Sequence, residues 1–359
     1  MLTVLRSSWA LLAGIMLLML GNGIQGTLIG IRGNIEGFSA TTMSWVMAAY
    51  FAGFLVGSRA APWMIKRVGH VRVFAALGSL TSALFILFPV LPDPIAWSLM
   101  RFGVGICFSG IYVVAESWLN NSATNETRGQ ALSLYVIVQM VGIVVAQSII
   151  SLADPAGWTL FVLMSVAVSV AFLPILLDVS PAPMFETTKP MSLSELYQVS
   201  PLGMVGIFFL GTIFSALFGM GSVYGTERGL SVTDISIFMG AIFVGGMILQ
   251  YPIGWVSDRM DRRRLIIGIT GLGAISMVLG GFMTESRWVV FGLAFLAGGL
   301  ANPLYSLLIA YTNDFLEHED MAAASGGLIF ANGVGAVSGP FLVGLVMNAF
   351  GADSYFLFI

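Results

Sequence analysis

The sequence predicts an all-α polytopic membrane protein, and three observations predict it. Hydrophobic residues fill 57% of the 359 positions and charged residues only 9%, where a soluble domain carries about a quarter charged. The apolar residues fall into runs near the roughly 20 needed to cross a bilayer. The charges gather in the short breaks between those runs.

Read in order, the runs give eleven spans, at about Trp9–Ile31, Thr42–Met64, Val71–Leu91, Ile95–Leu119, Ala131–Leu152, Trp158–Leu177, Leu202–Tyr224, Ile235–Val256, Leu265–Met283, Trp288–Tyr311 and Ala322–Ala349. The first is long for a signal peptide's apolar core and lacks a small-residue cleavage pattern, so it is read as a retained span. A twelfth run begins at Ser354 and stops at Ile359, so a twelve-span protein cut short is expected. The break Asp178–Pro201 is the longest and carries Pro181, Pro183, Pro190 and Pro201, none of which lets a helix continue. It divides the chain into residues 1–177, a linker at 178–201, and residues 202–359. Inside it, Met191–Val199 reads either as a short helix on the inner membrane surface or as irregular linker.

Orientation follows from basic residues in the short loops. With the N-terminus cytoplasmic, Arg6, Lys66, Arg67, Arg72, Arg128, Lys189, Arg259, Arg262, Arg263 and Arg264 lie inside, and only Arg32, Arg228 and Arg287 lie outside. The chain is therefore expected to be an integral membrane protein with its N-terminus cytoplasmic. The two halves also repeat. In each, the loop after the second span is the most basic: Lys66–Arg72 in the first half and Gly254–Arg264 in the second. Internal repeats of this kind build many secondary transporters, with the cargo site between the halves near the midplane.

The second of those loops, Gly254-Trp-Val-Ser-Asp258-Arg259-Met-Asp-Arg262-Arg263, resembles the loop signature of the major facilitator superfamily, with Asp261 in place of a glycine. The first-half copy departs from the pattern: Pro62 stands where glycine belongs and Lys66 where aspartate belongs, while Arg67 and Gly69 are kept. Arg101-Phe-Gly-Val-Gly105 looks like a second signature. Gly326, Gly335, Gly339 and Pro340 keep the spacing of a glycine–proline motif, although in the eleventh span rather than the fifth. Glu116-Ser-Trp-Leu-Asn120, Arg128-Gly129, Ser200-Pro-Leu-Gly203 and Lys66 together are similar to the YcaD-like bacterial branch. The resemblance implies the major facilitator fold of two six-helix bundles, transport by alternating access, and usually a monomer. It also implies that Asp258 braces helices at the inner mouth.

Polar groups inside spans are costly unless paired or used, and the superfamily lines its cavity mainly from spans one, four, seven and ten. Span one offers Asn22 and Gln25 among glycines, for cargo contact or for bonds between helices. Span four offers Arg101, Tyr112 and Glu116. Arg101 either meets cargo or a coupling partner, or snorkels to the outer interface. Spans seven and ten offer Thr212, Ser215, Tyr224, Asn302, Tyr305 and Ser306, with Pro303 set to kink span ten; Gln250 and Asn332 flank them. Glu116 lies level with the basic loops. It is expected to gate through Lys66, its first choice, or through Arg67, Arg128, Arg259 or Arg262, or else to couple a proton. Gly105, Gly335, Gly339 and Pro340 are read as helix packing.

These features exclude other classes. The net charge of −3 argues against a nucleic-acid partner. Cys107 has no companion for a disulfide or metal, and His70 and His318 fall in loops and read as solvated. No nucleophile–base pair and no nucleotide-binding loop is present, so neither enzyme nor ATP drive is expected. No cofactor is expected either. The expected partners are the bilayer, a neutral or weakly polar small molecule and a proton. The alternative class is a membrane scaffold or assembly factor that kept the fold and lost the cycle.

Overall fold

In a computed structural model, the described backbone covers all residues except 1, 123–127, 178–190 and 318–319; the side chains of 2–8, 120–122, 128–130 and 322 also lie outside the description. Eleven helices among the described residues are long and apolar enough to cross a membrane. In chain order these spans are Trp9–Ile35, Ala40–Val68, His70–Val90, Pro94–Leu119, Ala131–Ile150 and Thr159–Leu177, then Pro201–Glu227, Val232–Ser257, Arg262–Gly281, Arg287–Asn313 and Ala323–Phe350. A further short helix, Ser354–Phe358, follows.

Local chemistry sets the ends. Gly37, Gly69, Gly229 and Gly351 take φ between 74° and 86° at four of the connections, a region that L side chains avoid. Ser231 caps span eight by accepting the Asp234 N–H at 3.1 Å, and Asp261 caps span nine by accepting the Arg264 N–H at 2.9 Å. Span six is interrupted between Val170 and Leu173, because Pro174 lacks the N–H that would reach the Val170 carbonyl and its ring crowds that turn. Span seven contains a π-helical turn at Ala216–Met220.

The chain divides into two compact units: residues 1–32 with 49–187, and residues 33–48 with 188–359. Within the first unit, spans one and five meet where a Cβ at Gly142 would lie 2.7 Å from the Met16 carbonyl oxygen. Spans two and four meet through Gly53, Gly57 and Gly105, whose missing Cβ atoms leave room for the carbonyls of Phe102, Ile106 and Tyr50. Span three packs on span six, with Gly78 under the Phe172 ring. The second unit repeats this plan. Spans seven and eleven meet at Gly211, Gly335 and Gly339, against backbone of Asn332, Phe208 and Thr212. Spans eight and ten meet at Gly245 and Gly298, against Phe295 and Ile242, and span nine packs on the short helix after Ser354. The repeat inferred from the loops is thus written into the helix contacts.

Residues 33–48 belong to the second unit, where the Trp45 ring sits 4.5 Å from that of Phe341. Arg228 at the end of span seven pairs with Asp353 at 2.8 Å and bonds Thr284, which itself donates to Asp353 at 3.0 Å. The segment expected as helix or linker holds a helix at Leu193–Val199 with a capping box between Ser192 and Glu195. Its Leu196 is fully buried and lies where a Cβ on Gly327 of span eleven would go.

One expectation is corrected. His70 is not a solvated loop residue: it is 1% exposed and opens span three. The turn at Gly69 is so tight that the next residue is already helical. Its ring bonds the Ser117 hydroxyl at 2.9 Å and lies edge-on to Trp118. His318 lies outside the described residues.

Candidate functional site

The first unit carries a continuous row of polar side chains through an apolar bundle. At one end Arg101 of span four, 3% exposed, donates to the Gln25 side-chain oxygen and sits 4.6 Å from the centre of the Tyr50 ring. It does not snorkel to the outer interface; a buried amide oxygen and an aromatic face hold the guanidinium. The Gln25 amide nitrogen is buried without a hydrogen-bond partner. Asn22, one turn along span one, lies within reach of the hydroxyls of Tyr50 and Tyr112. Tyr112 packs against Phe54 and Phe108, and its hydroxyl contacts the Met19 sulfur at 3.2 Å. One turn further along span four, Glu116 interacts with Tyr135 of span five, and Gln139 lies beyond.

Sequence reasoning found Asn22, Gln25, Arg101, Tyr112 and Glu116 but missed Tyr50, Tyr135 and Gln139. They lie on spans two and five, outside the four spans taken to line the cavity. The rule that singled out Asn22, a hydrogen-bonding group inside an apolar span, applies to them equally.

The inner loops differ from expectation. Among the described residues no salt bridge joins Glu116 to Lys66 or to any arginine; its neighbours are phenols. Arg128 contributes a side chain outside the description. Asp258 is exposed at the end of span eight, and Arg262 donates to Asp314, at the end of span ten. Arg262 is the first residue of span nine, which packs along span ten, so its reach favours Asp314. Arg259 stacks 3.9 Å over the Trp255 ring, and Arg67 lies 5.4 Å over Trp63 at the equivalent place in the first unit.

In the second unit most candidates serve packing. Thr212 donates to the Gly335 carbonyl at 3.1 Å, Ser215 to the Thr212 carbonyl at 3.0 Å, and Asn332 to the Ile207 carbonyl at 3.1 Å. Asn302 donates to Gly298 of its own helix at 2.9 Å. Tyr224 is fully buried, stacked 4.6 Å from Tyr355. Gln250 donates to Ser306 at 3.2 Å. A half-buried aromatic group remains: Phe218 on the π turn stacks 4.9 Å from Phe243, and Phe214 joins it to Tyr305. π turns inside helices recur at functional positions. Gly339 and Pro340 are buried in span eleven, and Gly105 is buried in span four.

A helical bundle with an internal repeat, apolar outside and polar along one inner row, is the architecture of a membrane transporter. The sequence pattern of the Major Facilitator Superfamily matches residues 11–247 and, a second time, 203–359. The chain belongs to that superfamily. It is similar to the uncharacterized MFS-type transporter YcaD of Escherichia coli, at 27% identity over 365 residues, covering 100% of this chain and 94% of that one. The YcaD protein of Escherichia fergusonii is 26% identical over 366 residues, covering 99% and 92%. Solved structures agree on the fold. A bacterial homologue of the human lysosomal transporter Spinster, inward-facing and occupied, superposes with TM-score 0.78 at 17% identity, covering 96% of this chain and 83% of that one. The nucleoside transporter NupG gives 0.75 at 13%, covering 98% and 94%. A D-xylose-proton symporter gives 0.73 at 14%, covering 97% and 94%.

Proposed function

We propose that the chain is a secondary or facilitative transporter that moves one small molecule by alternating access between its two helical bundles. The observation that carries this reading is the polar row of the first unit. A guanidinium and a carboxylate on one span, with amides and phenols between them, are expensive to keep in a bilayer unless they serve a passage. Fixed charge along the row is sparse, and the second unit adds aromatic faces and single amides. That combination favours neutral or weakly polar cargo, in keeping with the nucleoside and xylose of two structural neighbours. In the first unit Asn22, Gln25 and Tyr112 offer hydrogen bonds; the second unit, by itself, holds an apolar group of Phe218, Phe243 and Tyr305. Arg101 orients the row at its buried end. The protein works as a monomer in a bacterial inner membrane with its N-terminus cytoplasmic, since ten loop cations then lie inside and three outside.

A flux assay in proteoliposomes over a broad panel of nucleosides, sugars and lipophilic metabolites, with and without a pH gradient, tests this. Flux of at least one compound, reduced by Asn22→Ala, is expected. Folded protein that moves none of them would favour the scaffold reading.

A further inference from the structure

We propose that Tyr355, on the short helix after Ser354, is a positioning residue that holds the π turn of span seven, and so sets the aromatic group of Phe218, Phe243 and Tyr305. That this setting selects cargo with a flat ring rests on the reading above; the hold on the turn does not.

A π turn reaches five residues back for its hydrogen bonds where an α turn reaches four. It therefore holds one residue more than an α-helix needs. The helix beyond it is rotated by about 100°, the angle of one residue at about 3.6 per turn, against the unbroken helix the same sequence would form. Little within Ala216–Met220 compels this. The run Ala-Leu-Phe-Gly-Met has no proline, and Gly219 alone is a weak helix former. The choice falls to a partner outside the segment.

That partner is the Tyr355 hydroxyl. It lies 3.3 Å from the Ala216 carbonyl oxygen and 3.5 Å from that of Leu217, the first two residues of the turn. A side chain inserted into the ladder is a recognised cause of such a break. Gly221, the first residue beyond the turn, keeps the approach open, since a Cβ there would lie 3.2 Å from the Tyr355 hydroxyl oxygen. The phenol is also fixed in place. Tyr355 is fully buried, stacked 4.6 Å from Tyr224 and packed against Phe238 and Phe356. Tyr224 lies on span seven beyond the turn. One residue thus grips both sides, the start of the turn by its hydroxyl and the following helix by its ring.

The register has consequences on span eight and span ten. Beyond the turn, a Cβ on Gly225 would lie 3.6 Å from that of Ile235 on span eight. Within it, Phe218 stacks 4.9 Å from Phe243 of span eight. Before it, Phe214 joins the group to Tyr305 of span ten. If the turn relaxed to the α register, one side would swing against the other. The contacts of Phe214 and of Gly225 could not both survive.

A disulfide reads the register without knowing the cargo. Gly225→Cys with Ile235→Cys, in a Cys107→Ala background, places two Cβ atoms at a separation that a disulfide spans, about 3.5–4.5 Å. The chain in vesicles is expected to cross-link readily under a mild oxidant. Tyr355→Phe keeps the ring and removes only the hydroxyl, and is expected to slow cross-linking about fivefold, the effect of one typical hydrogen bond on an equilibrium. Deleting Gly219 removes the surplus residue and leaves the helix beyond in place. In that shortened chain Tyr355→Phe is expected to change nothing. No cross-link in the chain with Tyr355 intact, or equal cross-linking with and without the hydroxyl, overturns the proposal. So does an equal slowing with and without Gly219, which would make Tyr355 a general packing residue. If the shortened chain does not fold, the first comparison decides alone. In the flux assay, Tyr355→Phe is expected to lower the rate for nucleosides, which carry a flat ring, relative to sugars; an unchanged ratio overturns the role in selection. A chain that changes register as expected but moves no cargo keeps the positioning role and loses the transport reading.

Discussion

The contact between Arg101 and Gln25 can be weighed by a double-mutant cycle. The guanidinium is buried, donates to the Gln25 oxygen and stacks on Tyr50. A hydrogen bond to a charged group contributes about 1.5–3 kcal/mol net, and a desolvated cation–π contact about 2 kcal/mol. Gln25→Leu removes the first and leaves the second. It also removes the unpartnered Gln25 amide nitrogen, which returns about 1–3 kcal/mol of desolvation cost. The single-variant cost is therefore a near balance and decides nothing alone. Arg101→Met removes the charge and these contacts, and relieves the burial of the ion. The coupling between the two changes isolates the bond itself and is expected at about 2 kcal/mol, roughly thirtyfold in an unfolding equilibrium constant. Reversible unfolding in mixed micelles, measured for wild type, both singles and the double, gives it. Additivity within about 0.5 kcal/mol would refute the reasoning, because neighbours that share a buried bond cannot be independent.

Two further outcomes follow from the contacts and the charges. Gly298→Leu drives a side chain into the Ile242 backbone and should cost at least the about 1–3 kcal/mol typical of overpacking, read as a lower melting temperature in detergent. Gly292→Leu, on the same helix with nothing within 4 Å of its Cβ, should be neutral or slightly stabilising by helix propensity; equal losses at both positions would show that the crossing is not tight. A cysteine at Ser286, exposed in the loop before span ten, should react with an impermeant thiol reagent from outside intact cells, while the buried native Cys107 stays silent; reaction only after permeabilisation would reverse the topology.

Much of the fold was legible because the bilayer makes it so. A run of apolar residues must be a helix when lipid offers its backbone no partner, and the eleven runs became eleven spans. Ends were less legible: His70 looked like a loop residue until Gly69 turned within one position, and Pro174 broke a span whose apolar run is unbroken. The site was half legible. Asn22, Gln25, Arg101, Tyr112 and Glu116 stand out as polar groups in apolar company. Their partners do not, since Tyr50 and Tyr135 reach them from other helices. The pairing of Glu116 with Lys66 was inferred from depth along helices. Depth is one coordinate of three, and Glu116 turns to Tyr135 in the other two.

The glycine crossings bear on mechanics. Where Gly245 abuts the Phe295 carbonyl and Gly298 the Ile242 carbonyl, main chain rests on main chain. Side chains between two helices act as a cushion, able to roll and reseat as the helices slide. Two bare backbones have no cushion, and any shear between them sets one row of carbonyls climbing over the other. Spans eight and ten are in that sense a single beam, as are seven with eleven and two with four. Any bending of these spans is left to stretches without such joints, among them the interrupted turn of span six and the wide π turn of span seven.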